Sequence, residues 1–336
     1  MGCSSSKSDP QVVPVGVATA AATPASEEPG SGSADFGSDG EGEVPKESEP
    51  FLSLSGHEKW VSCLCMVDGT TLASGSFDNT VMIWDLTAKL CKATLKGHTN
   101  SIKALCRIDA STVASGARDS TIRIWDLPAQ NCRSELRGHK GDVNALCRVD
   151  AATLVSGSSD DSIKVWDLSA QGSVESASLT GHESSVLALC KLGDSSIASG
   201  SLDASIKIWD LSSKTCTATL TGHTSSVWAL CRVTPTLLAS GSGGDKTVKV
   251  WDLPSRACKA TFQGHRGDVV AVCKINSSTI ASASGDRDVR LWDLTSQSCT
   301  ATFTFHKDSV MSLCRVGNGT AKLASGGQDN QICLWS

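Results

Sequence analysis

The chain has 336 residues, 40% of them hydrophobic and 19% charged, with a formal net charge of −5. That length buries a sizeable core, and no run reaches the roughly 20 apolar residues that a membrane-spanning helix needs. Nine acidic and two basic side chains fall in residues 1–50, leaving a net +2 on residues 51–336; no nucleic-acid partner is expected without a clustered Lys and Arg face.

The chain opens MGCSSSK. Gly2 after the initiator Met, with Ser6, matches the pattern for N-myristoylation, and Cys3 beside it is a candidate for S-palmitoylation. One myristoyl chain binds a membrane only marginally, so stable anchoring needs a second signal. Beyond Lys7 the segment is acidic and offers no polybasic patch. A second acyl chain on Cys3 is the remaining route. The stretch VGVATAAATPA (15–25) is too short, and too broken by Pro24, for a signal peptide. Without such a signal a reducing compartment and free thiols are expected, on the cytoplasmic face of a membrane.

Residues 8–50 are rich in Ser, Ala, Gly, Pro and Glu, with Phe36 as the one aromatic. Such a composition buries too little surface to order. Residues 1–50 are therefore expected to be a disordered acidic tail, and residues 51–336 the folded part. A coil of about 45 residues spans roughly 35–40 Å.

The folded part begins with FLSLS (51–55), a short period-two stretch. Next comes SGSFDNTVMIWD (74–85), a turn followed by a strand ending in Trp84-Asp85. The tryptophan recurs as Trp125, Trp166, Trp209, Trp251, Trp292 and Trp335, in steps of 41, 41, 43, 42, 41 and 43 residues. A fixed period of this length signals stacked or radial supersecondary units. Three more columns share it. All seven histidines of the chain lie 27 to 29 residues upstream of a Trp: His57, His98, His139, His182, His223, His265 and His306. Six residues before each Trp stands an Asp: Asp78, Asp119, Asp160, Asp203, Asp245, Asp286 and Asp329. Ten or eleven residues before it stands a Ser: Ser74, Ser115, Ser156, Ser199, Ser240, Ser282 and Ser325.

Between the columns the apolar residues alternate, as Ile163 and Val165 do in SIKVW (162–166), which predicts half-buried strands. Each repeat carries four such strands and no helical stretch. The pattern Gly-His…Ser-Gly…Asp…Trp-Asp closely resembles the WD-repeat β-propeller family, over residues 51–336. The resemblance implies an all-β, seven-bladed β-propeller of four-stranded antiparallel blades. It also implies that the Trp, Ser, His and Asp of a repeat form one hydrogen-bonded chain inside a blade. The residue types suit it: an indole donates only, a hydroxyl both accepts and donates, an imidazole does each at a different nitrogen, and a carboxylate accepts. The chain ends at Trp335-Ser336 without a fourth strand for the last repeat, and residues 51–55 are expected to supply it.

Ser, His and Asp in one set also suggest a hydrolytic triad. Seven copies of the set argue for architecture, and no histidine is left to act as a base. No catalytic residue, cofactor, metal or small-molecule substrate is expected. Two cysteine columns fall in strands: Cys65, Cys106, Cys147, Cys190, Cys231, Cys273 and Cys314, then Cys91, Cys132, Cys216, Cys258 and Cys299. Both are expected to act as small buried hydrophobes.

Propellers of this family are mostly interaction platforms, contacted on the end that carries the d–a and b–c loops. Third and fifth after each His, and just before each Asp, lie the positions that the resemblance assigns to that end. The large residues there are Trp60, Phe77, Leu187, Leu202, Trp228 and Met311, with Lys103 and Arg118 as a basic flank. They are the expected contacts of a protein partner. The functional expectation is a non-enzymatic, membrane-tethered scaffold. The alternatives are a soluble substrate-recognition subunit of a ubiquitin ligase and a G-protein beta-like signalling subunit.

Overall fold

The short runs are strands because β-branched and aromatic residues alternate with polar ones between turns. In Ile163–Asp167 the side chains of Ile163, Val165 and Trp166 are buried, whereas Lys164 and Asp167 are half-buried. A single strand of this length has no stability of its own and needs a sheet to belong to. The computed structural model describes residues 46–47, 50–169, 174–317 and 322–336. Gly2, Cys3 and almost all of the expected tether lie outside the described residues.

Blade 1 is an antiparallel sheet of strands a (Val61–Met66), b (Thr71–Ser76), c (Thr80–Asp85) and d (Leu90–Lys96). Five further sheets repeat this order, and a seventh completes the all-β, seven-bladed propeller. The a strands touch one another in sequence and line the axis; that of blade 7 (Val310–Arg315) touches that of blade 1. The chain's own start closes the ring. Leu52–Ser55 is the outer strand of blade 7, with Leu52 opposite Leu334 and Ser55 opposite Gln331. Before it, Lys46–Glu47 runs parallel to Thr302 and Phe303 on the edge of blade 6.

Each gap between blades holds its own apolar cluster. Between blades 7 and 1, Leu54, Val316, Ile332 and Leu334 pack against Val61, Leu72 and Trp84. The tetrad tryptophan of every blade thus fills the seam with the blade before it. The b strands supply the small residues that let blades approach. A Cβ on Gly75 would meet Ile102 Cγ2 at 2.5 Å, and one on Gly157 would meet Val186 Cγ1 at 2.5 Å.

The two cysteine columns part company. Cys147 in strand a is buried and its neighbours in the column are half-buried, with thiols raised by burial, for example to about 11 in Cys65 and about 12 in Cys314. The second column does not sit in the core. Cys91, Cys216 and Cys258 are exposed, and Cys132 and Cys299 half-buried, because strand d is the solvent edge of its blade.

Candidate protein-interaction face

The lacing of blade 1 begins at Trp84, whose indole N–H donates to Ser74 Oγ at 2.7 Å. The same oxygen lies 2.7 Å from His57 Nε2, and His57 Nδ1 lies 2.8 Å from Asp78 Oδ2. The indole cannot accept, so the serine accepts from it and donates its proton to Nε2. Nδ1 then carries the imidazole proton and donates to the carboxylate. All seven blades share this geometry, with serine-to-imidazole contacts of 2.6–2.7 Å. The backbone N–H after each histidine also donates to the carboxylate, as Glu58 does at 3.0 Å.

Burial alone would raise these carboxyls. Hydrogen bonds from Ser162, the Lys140 N–H and His139 outweigh it and hold Asp160 down at about 2. Burial lowers His139, opposed by Asp160, and lowers His98, His182 and His223 in the same way. These four histidines are therefore neutral hydrogen-bonding links. Ser74 and its six counterparts are fully buried, and each oxygen both accepts from an indole and donates to an imidazole. Such a hydroxyl has no path to a substrate. Among the described residues, no cluster of three His, Cys, Asp or Glu could hold a metal ion.

The loop end is built differently. In every blade the residue third after the histidine is tied by its carbonyl to a backbone N–H of the b–c turn. Phe77 N–H donates to Trp60 O at 3.0 Å, and Arg118 N–H to Ser101 O at 2.9 Å. These two columns therefore lie side by side on the face. In blade 5 the donor to Ser226 O is Gly243. The lengthened turn thus moves the equivalent position one residue ahead of Gly244.

Four of the expected contact residues come together over blades 1 and 2. The rings of Trp60 and Phe77 are 5.1 Å apart at their centroids. Lys103 Nζ lies 5.2 Å from the Phe77 centroid and Arg118 Cζ 5.8 Å from it. Arg118 Nε donates to Asp142 Oδ2 at 2.9 Å, which carries the cluster onto blade 3. Asp142 stands in the column that also holds Trp60, so its address was visible, but its pairing with a residue of another repeat was not.

Leu187, Trp228 and Met311 converge towards the centre of the ring. With Lys103 they line the central channel, a space of about 200 Å³. Strand a explains this. Its register shifts at the residue fifth after the histidine, between Val227 and Ala229 in blade 5. The same shift brackets Lys103, Leu187 and Met311. A bulged residue is left out of the ladder and turns off the sheet. Deeper in the channel stand Leu64, Leu105, Leu146, Leu189, Leu230 and Leu313. Leu202 stands apart, exposed on the b–c turn of blade 4.

The WD domain, G-beta repeat family matches seven stretches: residues 48–85, 89–126, 130–167, 173–210, 214–252, 256–293 and 297–336. The chain belongs to the WD-repeat family. The WD40 β-propeller domain of Doa1 is similar to this WD-repeat protein with a TM-score of 0.77 and 26% identity, over 86% of this chain and 96% of that one. A 44-residue stretch is 48% identical to the pre-mRNA-splicing factor PRP46 of Kluyveromyces lactis, which is 12% of this chain and 10% of that protein. WD-repeat propellers are in general protein-interaction scaffolds, and the fold of this one fits that class.

Proposed function

We propose that this WD-repeat protein is a non-enzymatic scaffold, tethered to a membrane by a myristoyl group on Gly2 and a palmitoyl group on Cys3. One observation carries the scaffold reading. Every histidine is engaged in lacing a blade, whereas Trp60, Phe77, Lys103 and Arg118 form a cluster that no other blade repeats. Clustered aromatic and Arg side chains favour protein contacts, since they bury large area at low conformational cost. The tether rests on the MGCSSSK motif and on the need of a myristoyl chain for a second signal.

The test is affinity capture from cells with the native chain, Gly2→Ala, and Trp60→Ala combined with Trp228→Ala. Under this reading the paired tryptophan variant loses its specific partner while keeping its melting temperature. Gly2→Ala moves the protein from the membrane fraction to the soluble one. Unchanged partners with the tryptophan pair overturn the face assignment, and an unchanged membrane fraction with Gly2→Ala overturns the tether.

A further inference from the structure

Lys103 holds a charge that the fold leaves unanswered. It occupies the bulge of strand a in blade 2 and lines the channel mouth. The corresponding residues of the other blades are Ser62, Asn144, Leu187, Trp228, Val270 and Met311, none of them charged. Lys103 is half-buried, and among the described residues its ammonium lies over the Phe77 ring, at 5.2 Å, with no carboxylate in ion-pair contact. The nearby carboxylate of Asp142 is already paired with Arg118 at 2.9 Å. The cluster thus carries one net positive charge, from two cations and one anion. A cation–π contact is no substitute for the anionic partner that a partly desolvated ammonium favours. Burial, followed by the Arg118 charge, pushes Lys103 down to about 8.

We propose that the Lys103 ammonium is a carboxylate-binding subsite, into which a protein partner seats an Asp or Glu side chain at the channel mouth. Trp60 and Phe77 then pack on the residues flanking that acid, and Arg118 gives a second, outer cation. An incoming carboxylate supplies the anionic acceptor that the half-buried ammonium lacks, in a place where such a bond is stronger than in open water. This rests on the loop end being a protein-binding face, and it adds the chemistry of what binds there. The charged and titratable groups facing Lys103 are Arg118, Asp142 and Cys63. Burial pushes the Cys63 thiol up to about 12, so it stays neutral where Lys103 titrates.

The experiment uses the purified full chain and two probes, acetyl-Ala-Glu-Leu-Glu-Ala-amide and its Gln-for-Glu counterpart. Binding is followed by calorimetry and by the ¹³Cε resonance of Lys103. The Glu peptide is expected to bind at least about tenfold more tightly than the Gln peptide at pH near 7, and to raise the Lys103 midpoint by about one unit or more. Lys103→Met removes that preference and Lys103→Arg keeps it, while thermal melts show both variants folded. The preference fades as pH rises through about 8, where Lys103 loses its proton. Equal binding of the two peptides, or a preference that survives in Lys103→Met, overturns the subsite. In the capture experiment, a partner lost with the tryptophan pair but fully retained by Lys103→Met overturns the subsite alone. A partner retained by every variant overturns the loop-face reading instead.

Discussion

The backbone N–H of Arg232 in blade 5 points at the sulfur of Cys190 in blade 4, 3.1 Å away. Lys274 N–H makes the same contact with Cys231, also at 3.1 Å. The backbone N–H groups of Arg107, Arg148, Lys191, Arg315 and Met66 face Cys65, Cys106, Cys147, Cys273 and Cys314 in turn. Seven sulfur contacts therefore run from blade to blade around the axis, and the last crosses the closure of the ring.

These thiols are expected to resist alkylation in the folded protein. Cys91, Cys216 and Cys258 on the outer edges should react with iodoacetamide first. The inner thiols should lag by on the order of tenfold or more, because both burial and a raised pKa deplete the thiolate. Mass spectrometry of tryptic peptides after timed labelling reads the order. Inner thiols labelled as fast as the outer ones would mean that the seams between blades open readily.

A single tetrad serine should matter more than its size suggests. Ser156→Ala leaves the Trp166 indole N–H and His139 Nε2 without the hydroxyl that lies between them. Each buried polar group left unpaired costs about 1–3 kcal/mol. Ser178, exposed on the outer strand of the same blade, is the control, and Ser178→Ala should stay within about 0.5 kcal/mol. Urea midpoints of the two variants measure the difference.

Packing between blades leaves no room for one extra methyl group on the b strand. Gly157→Ala places a Cβ 2.5 Å from Val186 Cγ1 and 3.1 Å from Val186 Cβ. Overpacking of this kind costs about 1–3 kcal/mol, and a lower melting temperature should report it. A variant that also carries Val186→Ala should regain part of the loss.

Acid should weaken the ring in two stages. Burial holds His98, His139, His182 and His223 below the ordinary histidine value, against the pull of their aspartates. A group depressed in the folded state contributes stability that is complete above its unfolded pKa and drains as pH falls through its folded one. For these histidines the decline starts below about pH 6.5. Asp160 and Asp203 are held at about 2 by hydrogen bonds that overcome burial. Their contribution is complete above about pH 4 and is lost as pH falls towards 2. Urea midpoints should be level near pH 7–8, fall below about 6.5, and fall again below about 4. A midpoint that rises on going from pH 7 to about 5 would contradict neutral histidines.

Removing the first strand should cost more than removing the tail. A chain that begins at residue 57 lacks Leu52 and Leu54, which pack in the seam between blades 7 and 1, and exposes strand c of blade 7. Its melting temperature should drop by several degrees or more. A chain lacking residues 1–48 keeps the latch and should melt with the native protein. Equal melting of both shortened chains would show that the latch adds nothing to the closed ring.

The period of the tryptophans and the four polar columns made the blades legible, because a hydrogen-bonded chain demands fixed spacing between its members. Two features escaped that logic. A bulge leaves the count between columns unchanged, so the sequence did not show that the residue fifth after each histidine, Trp228 among them, turns into the channel. The pairing of Arg118 with Asp142 joins neighbouring repeats, and no spacing inside one repeat can reveal it. The exposed Cys91, Cys216 and Cys258 were misjudged for a related reason: period-two patterning marks a strand but not whether the strand ends its sheet.

The strand that closes blade 7 joins Leu54 to Ile332. During synthesis the first of these leaves the ribosome long before the second exists. Blades can form one after another as the chain emerges, but the circle cannot be completed until the strand that holds Ile332 has emerged as well. Until then residues 52–55 wait as a free sticky end, and two newly made chains held close together have the means to lend each other that strand.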